Sequence, residues 1–209
     1  ISRVRNHGRA GTTLANLKTH SNIAVVYTTD YRDYFPSLTD PRASYSVIRC
    51  ESADLAVRSL YFGSFNLWNI GLADQYYGGL YQSRSFQSGW DPRGNWTSSG
   101  LHWACSFSAD PAYFDLVTRR LPPAQFRAVR ASEVLFPSHK SVLTAYAPWV
   151  RFRRVFGGMV DGRAAEFRDR ELLGDVRSGD GAYPQYTVHW PAFTPMTHTV
   201  HGARGRDVR

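Results

Sequence analysis

Phe114-Asp-Leu-Val-Thr-Arg-Arg-Leu-Pro-Pro-Ala-Gln125 is a β-prone run that stops at a double proline, and Val134-Leu-Phe-Pro-Ser-His-Lys-Ser-Val-Leu-Thr-Ala-Tyr146 is a second such run with a proline of its own. Proline has no N–H for a sheet ladder and is confined to edges, strand starts and bulges. The pair therefore reads as two strands of a β-sandwich joined by a surface excursion.

Outward from this pair, Asn22–Thr29, Ser44–Cys50, Ser64–Ile70, Leu101–Ala109, Ala112–Leu121, Arg127–Phe136, Ser141–Val150 and Gln185–Trp190 have strand character. Leu101, Trp103, Cys105 and Phe107 would share one face of theirs. Ser52–Phe62 fits either a short helix or a strand. Gly157–Gly162 reads as a turn, and Arg163–Leu173 as an exposed helix or loop. Roughly eight antiparallel strands with long connections describe an all-β, eight-stranded antiparallel jelly-roll sandwich with long loops and extended terminal arms. The expected domains are an extended N-terminal arm over 1–21, a jelly-roll domain over 22–190 with a surface insertion at 71–100, and a basic C-terminal tail over 191–209.

At 209 residues the chain is long enough to bury a substantial core, and 14% aromatic residues with 17 Gly and 11 Pro suit pleated surfaces and turns. No run approaches the ~20 apolar residues of a membrane helix, so no membrane span is expected. The chain begins at Ile1, which is read as release from a precursor or as a piece of something longer. Cys50 and Cys105 sit in strand-like contexts and read as reduced core thiols.

The formal net charge is +8, and only Lys18 and Lys140 are lysines, so arginine supplies nearly all the positive charge. Arginine is the preferred cation for phosphate and for interfaces, although such a bias can also be merely compositional. Arg3, Arg5 and Arg9 cluster in the leader, and Arg204, Arg206 and Arg209 in the tail. Both clusters are candidate polyanion contacts. Tyr76, Tyr77, Tyr81, Trp90 and Trp96 combine rigid aromatic area with Gly and Ser, as binding loops do, and are the candidate receptor or partner site. The competing reading is an aromatic loop packed on its own domain.

No catalytic centre stands out. His198 and His201 lack the further ligands a zinc site needs. His102 and Cys105 would fall on opposite faces of a strand, which disfavours a thiol–imidazole dyad. No nucleophile elbow, phosphate loop or dinucleotide fingerprint is present. Asp161, Glu166, Asp169 and Glu171 alternate with Arg163, Arg168 and Arg170, as on a solvated face. Asn95-Trp-Thr97 fits the glycosylation pattern without an export signal beside it. Neither an enzyme nor a cofactor is expected.

From Leu101 onward the order of features resembles the picornavirus-like capsid proteins, most like the surface subunit around the five-fold axis. The resemblance rests on Leu121-Pro-Pro-Ala124, on Leu135–Tyr146, on the turn at Leu172-Leu-Gly174 leading to Trp190, and on the tail Ala203–Arg209. It covers about the C-terminal half. It implies a non-enzymatic structural protein of a virion, present in host cytoplasm during assembly. Such a subunit packs with copies of itself and sister capsid proteins, encloses viral RNA without sequence specificity and contributes to attachment to a host receptor; the resemblance also favours the N-terminal arm, with Arg3, Arg5 and Arg9, as the RNA-facing one. An Arg-rich RNA-binding accessory subunit of a ribonucleoprotein, such as a mitochondrial ribosome, is the alternative. A sugar-binding sandwich with Trp90 and Trp96 as stacking platforms is a third reading.

Overall fold

Gly157 and Gly158 are interior residues of a strand, with a helix on one side and a methionine and a phenylalanine on the other. A Cβ on Gly158 would lie 1.9 Å from Ser21 Oγ and 3.0 Å from the Leu17 carbonyl oxygen. A Cβ on Gly157 would meet Met196 Cε at 2.8 Å and Phe167 at 3.2 Å. At Gly158 the backbone of α1 comes up against the strand, and at Gly157 side chains fill the space a Cβ would need; close approach of this kind is a recognised reason for glycine inside a strand.

The computed structural model describes residues 2–37, 45–50, 53–58, 64–90, 100–115, 125–146, 154–173, 196 and 199–209. Helix α1 (Ser2–Asp30) is followed by an antiparallel pair, β1 (Tyr45–Cys50) and β2 (Ala53–Arg58), and then by helix α2 (Ser64–Tyr76). Strands β3 (His102–Trp103), β4 (Ser141–Tyr146), β5 (Arg154–Met159) and β6 (Ala164–Arg168) form an antiparallel sheet in the order β3-β4-β5-β6. Leu143 pairs with Gly158 and Thr144 with Gly157, with a register shift between Ser141 and Leu143.

This architecture corrects the jelly-roll expectation. The described residues hold two long helices, a four-stranded sheet and a two-stranded sheet, in place of an eight-stranded sandwich with extended arms. Asn22–Thr29, expected as a strand, is the last third of α1. The buried stripe of α1 is Ala10, Thr13, Leu17, His20, Ser21, Ala24 and Thr28, spaced three and four residues apart. That is helical spacing, but most of these side chains are small or polar, so the period is hidden from hydrophobicity. The valines at 25 and 26 favour a strand locally, and packing on the sheet overrides them.

Ser64–Ile70, also expected as a strand, is the start of α2, whose Trp68, Asn69, Ile70, Leu72 and Ala73 are all buried. A helix covered on so much of its circumference shows little apolar contrast. Leu101–Ala109 contributes only the short β3, and Cys105–Phe107 and Pro111–Phe114 are 3-10 turns. Nearly every residue from Leu101 to Phe114 is buried regardless of parity, so alternation does not report a strand. Arg127–Phe136 makes a single bridge to Tyr34 and a 3-10 turn at Ala131–Glu133. Ala164–Arg168 is a strand where a helix or loop was expected. Leu121-Pro-Pro-Ala124, Gln185–Trp190 and Trp96 lie outside the described residues.

The main core lies between α1, α2 and one face of the sheet, around Leu17, Trp68, Phe86, Trp103, Phe107 and Phe156. Trp68 Nε1 donates to the Leu101 carbonyl at 2.8 Å, which satisfies the buried indole. A second cluster of Val155, Met159, Phe167, Met196 and Val208 holds the C-terminal segment to the sheet. No helix among the described residues is long and apolar enough to cross a membrane.

Gly158→Ala is expected to cost about 2 kcal/mol, because the Leu17 backbone cannot yield without moving α1 off β5. Gly8→Ala has open space around it and is expected to stabilise the helix by about 0.5–1 kcal/mol. Urea unfolding of the two variants beside the parent chain checks both signs.

Candidate functional site

Three places gather functional groups: a histidine under α1, a buried lysine–aspartate pair at the start of β4, and the cationic leading end of α1.

His20 faces the core from α1, with ring centroids 5.3 Å from Trp68, 5.4 Å from Tyr77 and 5.0 Å from Phe86. Its Nε2 lies 2.9 Å from the Ser85 carbonyl oxygen, which can only accept, so Nε2 carries the proton. Nδ1 is then bare and accepts from the Tyr77 hydroxyl at 2.8 Å. The neutral imidazole satisfies both partners. Burial lowers the pKa to about 4, and the Ser85 carbonyl opposes that shift. Burial also pushes the Tyr77 phenol up, which keeps it a donor. His102 on β3 is likewise pulled down to about 4 by desolvation. Both rings pack as neutral core groups.

Lys140 and Asp207 are fully buried and paired, with Nζ 3.2 Å from Oδ1. Thr199 Oγ1 accepts from Lys140 Nζ and donates to Asp207 Oδ1. The other carboxylate oxygen accepts from the Ser141 N–H at 2.6 Å, and the Lys140 ammonium stands 5.6 Å above the Phe107 ring. Burial pushes the Asp207 carboxyl up, against the pull of Lys140 and of these hydrogen bonds. The backbone of Asp207 also donates to His139 and accepts from Leu173, each at 2.8 Å. These contacts make a clasp that closes 199–209 onto the sheet. Lysine among so many arginines was the available sign of it: a compact ammonium fits a closed site that a guanidinium fork would not.

The leading end of α1 differs in character. Val4, Arg5, Asn6, His7 and Gly8 are all exposed, and Arg9 is half-buried where the 87–89 segment comes against it. Arg3, Arg5, Arg9 and Lys18 lie on α1, which carries no acidic residue before Asp30. The expected RNA-facing arginines are thus on a rigid helix.

The structure disperses the expected aromatic site. Tyr76 ends α2, with its hydroxyl donating to Asp30 at 2.6 Å. Tyr77 packs on His20 and Phe86, and half-buried Tyr81 lies against Ile70 and Ala73. Trp90 is 6% exposed, with its ring 5.0 Å from Phe156. The Cys105 side chain is buried. No group of His, Cys, Asp and Glu among the described residues could hold a metal ion. No protein family, curated protein or solved structure matches the chain.

The two histidines set a pH dependence with a definite sign. Their folded pKa of about 4 lies below the ordinary 6.5, so the unfolded chain takes up the protons first. Stability is complete above pH 6.5 and falls as pH drops from there toward 4, by up to about 3 kcal/mol for each histidine. His20→Gln keeps a donor and an acceptor but does not titrate, and it is expected to remove about half of this loss in urea titrations at successive pH values.

Proposed function

We propose that this chain is a non-enzymatic structural subunit of a small icosahedral, picorna-like RNA virus. It assembles with copies of itself and sister subunits into the shell, encloses the genome and contributes to receptor attachment. The observation that carries this reading is the leading end of α1, where Arg5 stands exposed and Arg9 half-buried on a helix with no acidic residue before Asp30. Over its 29 residues α1 is about 43 Å long at 1.5 Å per residue, so one end reaches outward while the rest is fixed to the sheet. Such an end neutralises phosphates without reading bases. The resemblance of Leu135–Tyr146 and the C-terminal region to capsid subunits supports the same reading. The helix-backed sheet takes the place of the jelly roll as its scaffold.

The chain co-expressed with its precursor partners is expected to sediment as pentamers or closed particles holding nuclease-protected RNA. Arg5→Ala with Arg9→Ala is expected to lower the salt dependence of RNA binding by about two units of log–log slope, equally for unrelated sequences. A chain that stays monomeric and binds structured RNA tightly would instead be a ribonucleoprotein accessory subunit. Specific glycan binding by the purified chain would overturn both.

A further inference from the structure

Lys140 and Asp207 are 67 residues apart in the chain and fully buried together, with Nζ 3.2 Å from Oδ1. A guanidinium keeps its proton in proteins, whereas an ammonium can give one up and offer a nucleophilic lone pair. Lys18 and Lys140 are the only lysines; Lys18 is exposed, and Lys140 is enclosed with a carboxyl group.

The surroundings of the pair have a particular arrangement. Thr199 Oγ1 accepts from Nζ and donates to Oδ1, so one hydroxyl connects the ammonium to the carboxylate. The Ser141 N–H donates to Oδ2 at 2.6 Å, which sets a fixed backbone dipole on the oxygen that gains charge when Cγ is attacked. The Phe107 ring, 5.6 Å from Nζ, adds an apolar wall. Burial pushes the Asp207 carboxyl up, toward the protonated form whose oxygen can leave as water.

We infer that Lys140 and Asp207 join in an isopeptide bond that the chain forms by itself. The Thr199 hydroxyl hands a proton from Nζ to Oδ1, which leaves a neutral amine beside a neutral acid. The Nζ lone pair adds to Cγ, and the charge that develops on Oδ2 is met by the Ser141 N–H. A second proton passes from nitrogen to Oδ1, the Cγ–Oδ1 bond breaks with its electron pair on oxygen, and one water leaves. Oδ2 remains as the amide carbonyl oxygen. No oxidant, reductant or activated co-reactant takes part. The product replaces two buried charges, which are costly away from water, with one neutral amide. This bond is independent of the shell reading, and it makes covalent the clasp that holds 199–209 to the sheet.

The test is the denatured mass of the purified chain, followed by tandem mass spectrometry of its tryptic peptides. The chain is expected to weigh one water less than its sequence and to resist cleavage after Lys140. Residues 131–151 then form one peptide joined to 207–209. Valine keeps the shape of threonine without its hydroxyl. In pulse-labelled, newly made chain, Thr199→Val is expected to join at least about tenfold more slowly than the parent, and Thr199→Ser at close to the parent rate. A role for Thr199 in packing alone would not separate these two variants in that order; near-UV circular dichroism verifies the fold of each. A chain of full sequence mass that trypsin cuts after Lys140 overturns the inference, as does a water loss confined to a single unjoined peptide. Thr199→Val joining as fast as the parent overturns the proton relay.

Discussion

The close approach of α1 to β5 at Gly158 is the constraint on which the rest of the molecule depends. With a Cβ there, α1 would stand off the sheet and Leu17, His20 and Ala24 would lose the surface against which they are buried. The same seating aims the helix. Its middle is fixed by the sheet and by the 83–90 segment, where Thr13 Oγ1 accepts from the Gly89 N–H at 2.8 Å and Asn16 donates to the Gln87 carbonyl at 3.0 Å. Its cationic beginning and tyrosine-rich end stand at the two ends of this helix.

Three polar side chains drawn in from solvent are held by specific partners. His20 is neutral with a donor and an acceptor matched to its tautomer, and Lys140 is compensated by Asp207 and Thr199. Arg127 is held bidentately by Glu133 at 2.8 and 2.6 Å and by Asp110 at 3.0 Å, which fastens the otherwise irregular 125–133 segment. A buried ion pair contributes little net stability, because desolvation offsets the attraction, but losing one partner is costly. The Lys140 clasp is therefore better understood as fixing where the C-terminal segment lies than as a source of stability.

Legibility in the sequence followed the chemistry of each segment. Ser141–Tyr146 and Tyr45–Cys50 form strands close to where their β-branched residues placed them. The helix α1 was not legible, because its buried stripe is built of Thr, Ser, His and Ala and carries almost no hydrophobic signal. Gly157-Gly158 suggested a turn, since glycine marks turns and close backbone approaches alike. Arg5 was legible as a cationic surface residue and Trp90 was not legible as core, for composition says which side chains can bind but not which way they face. His20 offered no sign, because its partners come from remote segments at Tyr77 and Ser85.

The seating of the first helix on a late strand also governs the order in which the molecule can be made. Its composition, with glycines, threonines and valines, gives α1 little tendency to persist alone, so it is consolidated only when β5 exists to receive it. The clasp at Asp207 closes later still. Contacts this distant along the sequence delay folding until β5 has been made, and during that interval the cationic leading segment and the nascent sheet are both unprotected. Chaperone engagement would act in that window, before α1 and β5 have met.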